Sequence, residues 1–264
     1  LSGTELDRID ATTLNLTVSN PGTITLGSIT TAESLTIDAL DLNATGDSGS
    51  TQITFTGGTV NLNALDVDAA STSANAVVIN AAQIVASNDT LSFSNGPVRV
   101  EGADSSVSSG GGNITFAEAL LLVDQAGVNT FTLNSGASNI TFNGLVNLND
   151  NNLTVTGSAI VDVNAGIQGS TGNIDFTTTT RTDVDGAAIA LTGAGAVTLD
   201  AATISGVDIS TVGGAITFGG AVQLDTGAVA LDTGNAAGGT ITFSDTLNGT
   251  QALTLTAGTG NIDF

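Results

Sequence analysis

Cysteine, methionine, histidine, lysine, tryptophan and tyrosine are all absent from this chain of 264 residues, and proline occurs only at Pro21 and Pro97. Without cysteine there is no disulfide framework and no thiolate metal site. Without histidine, general acid and base chemistry would need a matched pair of other titratable groups in a cleft. Three arginines, Arg8, Arg99 and Arg181, stand against 25 acids, for a net charge of -22. Nucleic acid and anionic membrane surfaces both require a basic footprint, so neither is expected as a partner. The longest apolar run, Ala119 to Val123, is far too short to span a bilayer, and no membrane insertion is expected. Aromatics make up only 3% and all nine are Phe. A carbohydrate-binding face that stacks sugars on Trp or Tyr is thereby disfavoured.

What the chain does have is repetition. Ile, then Thr or Asp, then Phe recurs at Ile53, Ile114, Ile140, Ile174, Ile216, Ile241 and Ile262. Leu91-Ser92-Phe93 is a degenerate copy inside the first interval. The segments after Ile140 and Ile216 overlay without gaps, placing Val146, Leu148, Leu153 and Val155 against Val222, Leu224, Val229 and Leu231. Apolar residues two positions apart are the mark of strands with one buried face. One unit therefore reads as Ile216-Thr217-Phe218, Val222-Gln223-Leu224 and Val229-Ala230-Leu231, separated by Gly219-Gly220 and Asp225-Thr226-Gly227.

Strands this short, joined by residues that tolerate left-handed backbone, are expected to wind into a parallel β-solenoid. Residues 1–264 are expected to form one continuous solenoid segment. With about 20 residues per coil this gives roughly 13 coils. The core inventory of Ile, Val, Leu and Ala suits thin layers, while 34 Gly and the alternation disfavour helix. Phe116 to Asp124 is the best helical candidate, yet the solenoid offset predicts a strand there. Ser87 to Gly112, which contains Pro97, reads as a loop-rich coil. Outward Thr54, Thr115, Thr141, Thr217 and Thr242 are expected to stack as a ladder interrupted by Asp175 and Asp263, and Asn113, Asn139 and Asn173 as a corner stack. The chain begins at Leu1 and stops at Phe264, at the end of a repeat strand, which suggests a segment of a longer protein.

The acids are spread along the chain, as at Asp38 and Asp41 or Asp200 and Asp208, which reads as a solvated, self-repelling surface. The alternating carboxylates of Asp183 with Asp185, and of Asp66 with Asp68, are the candidate calcium ligands, although calcium takes six to eight oxygens. Arg181 beside Asp183 and Asp185 is the only cluster that suggests a β-helical, polysaccharide-active enzyme. Leu224-Asp225-Thr226-Gly227 and Leu231-Asp232-Thr233-Gly234 each match the aspartic-protease signature. Seven residues separate them, where that enzyme takes one copy from each of two lobes, so the turn reading of Asp and Gly is preferred. No catalytic residue is assigned, and the chain is read as a non-enzyme.

Gly112-Asn113-Ile114-Thr115-Phe116, Gly172-Asn173-Ile174-Asp175-Phe176 and Gly260-Asn261-Ile262-Asp263-Phe264 resemble the repeats of filamentous-haemagglutinin-like and autotransporter-type bacterial surface adhesins. The resemblance covers most of the chain from about Gln52 onward. It implies a right-handed β-helical shaft, secretion to the bacterial surface, and a structural or adhesive role toward surface glycans or other cells. Self-association or continuation through the coil ends is the further expectation. A carbohydrate- or calcium-binding module is the alternative.

Overall fold

A computed structural model describes residues 13–19, 23–27, 39–45, 52–62, 65–69, 76–87, 89–123, 127–177, 179–236 and 238–264. Arg8, Asp38 and Asp124 lie outside the described residues. Those described form 29 strands, and every pairing given between them is parallel. The chain is a three-sided parallel β-solenoid. On the first face Leu65, Leu91, Ile114, Ile140, Val161, Thr182, Ala202, Val222 and Leu247 stand in register, one per turn. Val77, Val98, Leu120, Val146, Ile167, Ile189 and Ile209 follow on the second face. Phe131, Leu153, Ile174, Val197, Ile216, Ile241 and Ile262 follow on the third.

Successive first-face partners from Leu65 to Leu247 are 20 to 26 residues apart, giving about nine turns between Leu65 and Phe264. Earlier strands such as Thr23–Leu26 stack below. The turns are fewer and mostly longer than a uniform coil of about 20 residues would make them, because the corners differ in length. In most of the short strands buried and half-buried positions alternate, as in Ile216–Phe218 and Ile174–Phe176. Leu120–Leu122 is a strand, so the helical candidate is a solenoid rung. Leu91–Ser94, Val98–Glu101 and Ser105–Ser108 supply all three sides of a regular turn inside Ser87 to Gly112.

The Ile-Thr-Phe copies do not share one face, which corrects the expected single ladder. Ile53 lies on the second face, Ile114 and Ile140 on the first, and Ile174, Ile216, Ile241 and Ile262 on the third. An inward, outward, inward triplet meets the same demand on any side, so the motif marks a rung without saying which one. The gapless overlay of the Ile140 and Ile216 segments therefore aligns strands of different faces. A longer outward ladder exists on the third face, where Thr132, Thr154, Asp175, Thr198, Thr217, Thr242 and Asp263 are successive partners. The Asn stack is likewise divided: Asn113 Oδ1 accepts from the Asn139 amide at 3.0 Å, while Asn173 donates to Asn152 Oδ1 at another corner, at 2.9 Å.

Two runs of parallel phenylalanine rings fill the interior. Phe93, Phe116 and Phe142 stack at 5.1 and 5.6 Å between centroids on the first face, and Phe218, Phe243 and Phe264 at 5.2 Å on the third. The glycine of the Gly-Asn-Ile motif has a packing reason. A Cβ on Gly172 would stand 1.8 Å from the carbonyl oxygen of Asn151 in the turn below, and one on Gly260 would stand 1.8 Å from that of Gly239. Backbone of adjacent turns meets at these corners, and only a residue without a side chain fits.

Candidate functional site

All four sequence-derived calcium candidates project from the first face, but the register separates them. Asp66 pairs with Asp41 below and Ser92 above. From Ser92 the same outward column runs through Thr115, Thr141 and Asp162 to Asp183. Asp66 and Asp183 are thus five rungs apart, about 24 Å at ordinary strand spacing. Asp68 is bound locally, its Oδ1 accepting from Asn95 Nδ2 at 2.9 Å.

Around Asp183 the structure adds a residue that motif reading missed. Asp162 lies directly beside Asp183 on the neighbouring strand. The signal was present, since Val161-Asp162-Val163 has the same alternation as Thr182-Asp183-Val184 one turn later. The Arg181 guanidinium forks onto Asp183, with Nε 2.8 Å from Oδ1 and Nη2 2.8 Å from Oδ2. Asn164, in the amide orientation that satisfies its carboxylate neighbours, donates to Asp185 at 3.0 Å and to Asp162 at 3.1 Å. Burial raises the Asp162 pKa above the ordinary carboxylate value, and repulsion from Asp185 and Asp183 adds to it; the Asn164 hydrogen bond and Arg181 oppose the shift. One guanidinium stands among three carboxylates, and Asp183 Oδ1, although 2.8 Å from Arg181 Nε, makes no hydrogen bond. Among the described residues no three His, Cys, Asp or Glu side chains gather as a metal-binding group.

The two protease-like Asp residues end strands on different faces. Asp225 follows Val222–Leu224 on the first face, and Asp232 closes Val229–Asp232 on the second. Asp232 Oδ1 accepts from the Gly234 amide at 2.7 Å, and Gly234 has φ 68°, the arrangement of a tight turn. Arg99 repeats the Arg181 pattern on the second face, with Nε 2.9 Å from Glu101 Oε2.

Above Arg181 the first face is recessed. Ile160, Arg181, Ala201 and Ala221 occupy the same corner position in consecutive turns, so two long side chains give way to two methyl groups. The result is an open groove of about 620 Å³, flanked by Thr203, Gln223 and Asn248. A second cleft, lined in part by Gly102 and Phe131, has about 10 Å³, room for about one water molecule.

Comparisons with protein-family models, with curated proteins and with solved structures each find no match. Function is therefore read from the chain's own residues. Among the described residues no helix is long and apolar enough to cross a membrane.

Proposed function

We propose that this chain is a structural or adhesive shaft of a secreted bacterial surface fibre. The carrying observation is the continuity of the inward columns: Ile, Val, Leu and Phe side chains from Ile53 to Phe243 belong to one buried cluster that runs through every turn. A core built this way gives length and stiffness, since each rung rests only on its neighbours. A strand edge with apolar side chains accepts either further coils of the same chain or a second molecule. The high negative charge would keep such rods from clumping side by side. Secretion and a surface location rest on the resemblance of the Gly-Asn-Ile-Thr-Phe repeats to surface adhesins.

Calcium remains part of this reading as a bridge held at acidic turns. Sedimentation at rising protein concentration, with and without a chelator, tests both elements. Concentration-dependent association that continues in chelator supports contact through apolar coil ends. Association abolished by chelator assigns the contact to calcium, and a monomer at all concentrations in both conditions counts against self-association.

A further inference from the structure

We propose that the first face, over the six rungs of Ile140, Val161, Thr182, Ala202, Val222 and Leu247, docks a second copy of this chain side by side and antiparallel. The twofold axis lies in the interface, across the rods, between the rungs of Thr182 and Ala202. This goes beyond the shaft reading, in which charge holds rods apart, by naming a face where that repulsion is relieved. Such an axis keeps each outward column over itself and reverses its order. The relief of the face is then self-complementary. Ile160 and Arg181 project where Ala201 and Ala221 are recessed, so Ile160 meets the partner's Ala221 and Arg181 meets the partner's Ala201. Two long side chains of each copy thus enter the groove of about 620 Å³ on the other.

The polar groups match about the same axis. The middle outward column runs Asp162, Asp183, Thr203, Gln223. Reversed on itself, it sets Asp183 against the partner's Thr203 and Asp162 against the partner's Gln223. The neighbouring corner column runs Asn164, Asp185, Ser205, Asp225, and it sets Asp185 against the partner's Ser205 and Asn164 against the partner's Asp225. Every acid in these two columns faces a hydroxyl or amide donor. The donors have capacity to spare: the Thr203 and Ser205 hydroxyls have no partner among the described residues, and Gln223 keeps a second N–H beyond the one it gives the Leu224 carbonyl at 2.9 Å. Moving the axis half a rung in either direction destroys the match. On the Thr182 rung Asp183 would face itself, and on the Ala202 rung Asp185 would face Asp225, so like charges fix the register. Three outward columns over six rungs cover about 24 Å by 13 Å. That is on the order of 300 Å² per copy, well under the roughly 800 Å² of a standard interface. The dimer is therefore weak, with a Kd on the order of 0.1–1 mM.

The chain has no cysteine, so a single introduced one reports a single position. Ile160→Cys and Ala221→Cys proteins are oxidised mildly, each alone and mixed in equal amounts, at a concentration near the expected Kd. The mixture should form disulfide-linked dimers about fivefold faster than either variant alone, because position 160 meets position 221 while like positions stand three rungs, about 14 Å, apart. Sedimentation equilibrium of the unaltered chain should show association that stops at the dimer. Ala221→Glu, at an exposed position, should weaken that dimer about tenfold with an unchanged melting temperature. Equal crosslinking by the mixture and the single variants, a monomer at every concentration, or a dimer indifferent to Ala221→Glu would overturn the proposal. Association that passes the dimer and is unchanged in Ala221→Glu belongs to the coil ends, which overturns this docking and leaves the shaft reading intact. Short rods that pair through this face and grow no further would uphold the docking without the shaft.

Discussion

The ring of Phe264 lies 5.2 Å from that of Phe243 and 10° from parallel, continuing the stack that Phe243 makes with Phe218. Phe243 is buried between its two neighbours. Phe264→Asp should therefore cost the monomer only about 1 kcal/mol, the scale of one aromatic pair. Urea unfolding checks this, and a midpoint equal to that of the parent would show that the two rings are not in contact.

The corner at Gly172 carries a second expectation. With the Asn151 carbonyl 1.8 Å from the position of an added Cβ, Gly172→Ala forces backbone to move in two turns at once. A loss on the order of 3 kcal/mol is expected from urea unfolding, at the upper end for overpacking. A loss below about 0.5 kcal/mol would mean that adjacent turns are not held this close.

Thr182 offers a test in the opposite direction. It points inward between Val161 and Ala202, is fully buried, and its hydroxyl has no hydrogen-bond partner. Thr182→Val keeps the shape and removes the desolvated hydroxyl, so the variant should be more stable by about 1–2 kcal/mol. A lower melting temperature than the parent would contradict the inward assignment.

Acid should relieve strain at Asp162. Its carboxyl titrates above the ordinary value of 3.8, chiefly through burial and then through Asp185 and Asp183. Between the ordinary value and the raised one, the folded chain binds more protons than the unfolded chain. This contribution to stability therefore falls as pH rises through that window. Asp162→Asn should melt higher than the parent at neutral pH, and the difference should narrow as pH approaches 3.8. A difference that is constant with pH would exclude a raised Asp162 pKa.

The fold was legible because the chemistry of a rung is local. Ile216, Phe218, Val222, Leu224, Val229 and Leu231 all face inward as their alternation predicts. The face of each rung was not legible, since Ile140 and Ile216 sit in identical motifs yet stack on different sides. Corner length decides the side, and it depends on backbone contacts such as Gly172 with Asn151 that no single motif contains. The acidic cluster was half visible for the same reason: Asp183 and Asp185 are two residues apart at the end of one strand, whereas Asp162 joins them only through the register between turns. The groove at Ala201 and Ala221 is a property of stacked small residues and has no motif.

Electron microscopy of the native, full-length material, with and without a calcium chelator, tests the shaft most directly. The account expects long uniform filaments with an axial repeat near 4.8 Å, the spacing of stacked strands. Short isolated rods in both conditions would contradict it and leave a monomeric binding module as the better description.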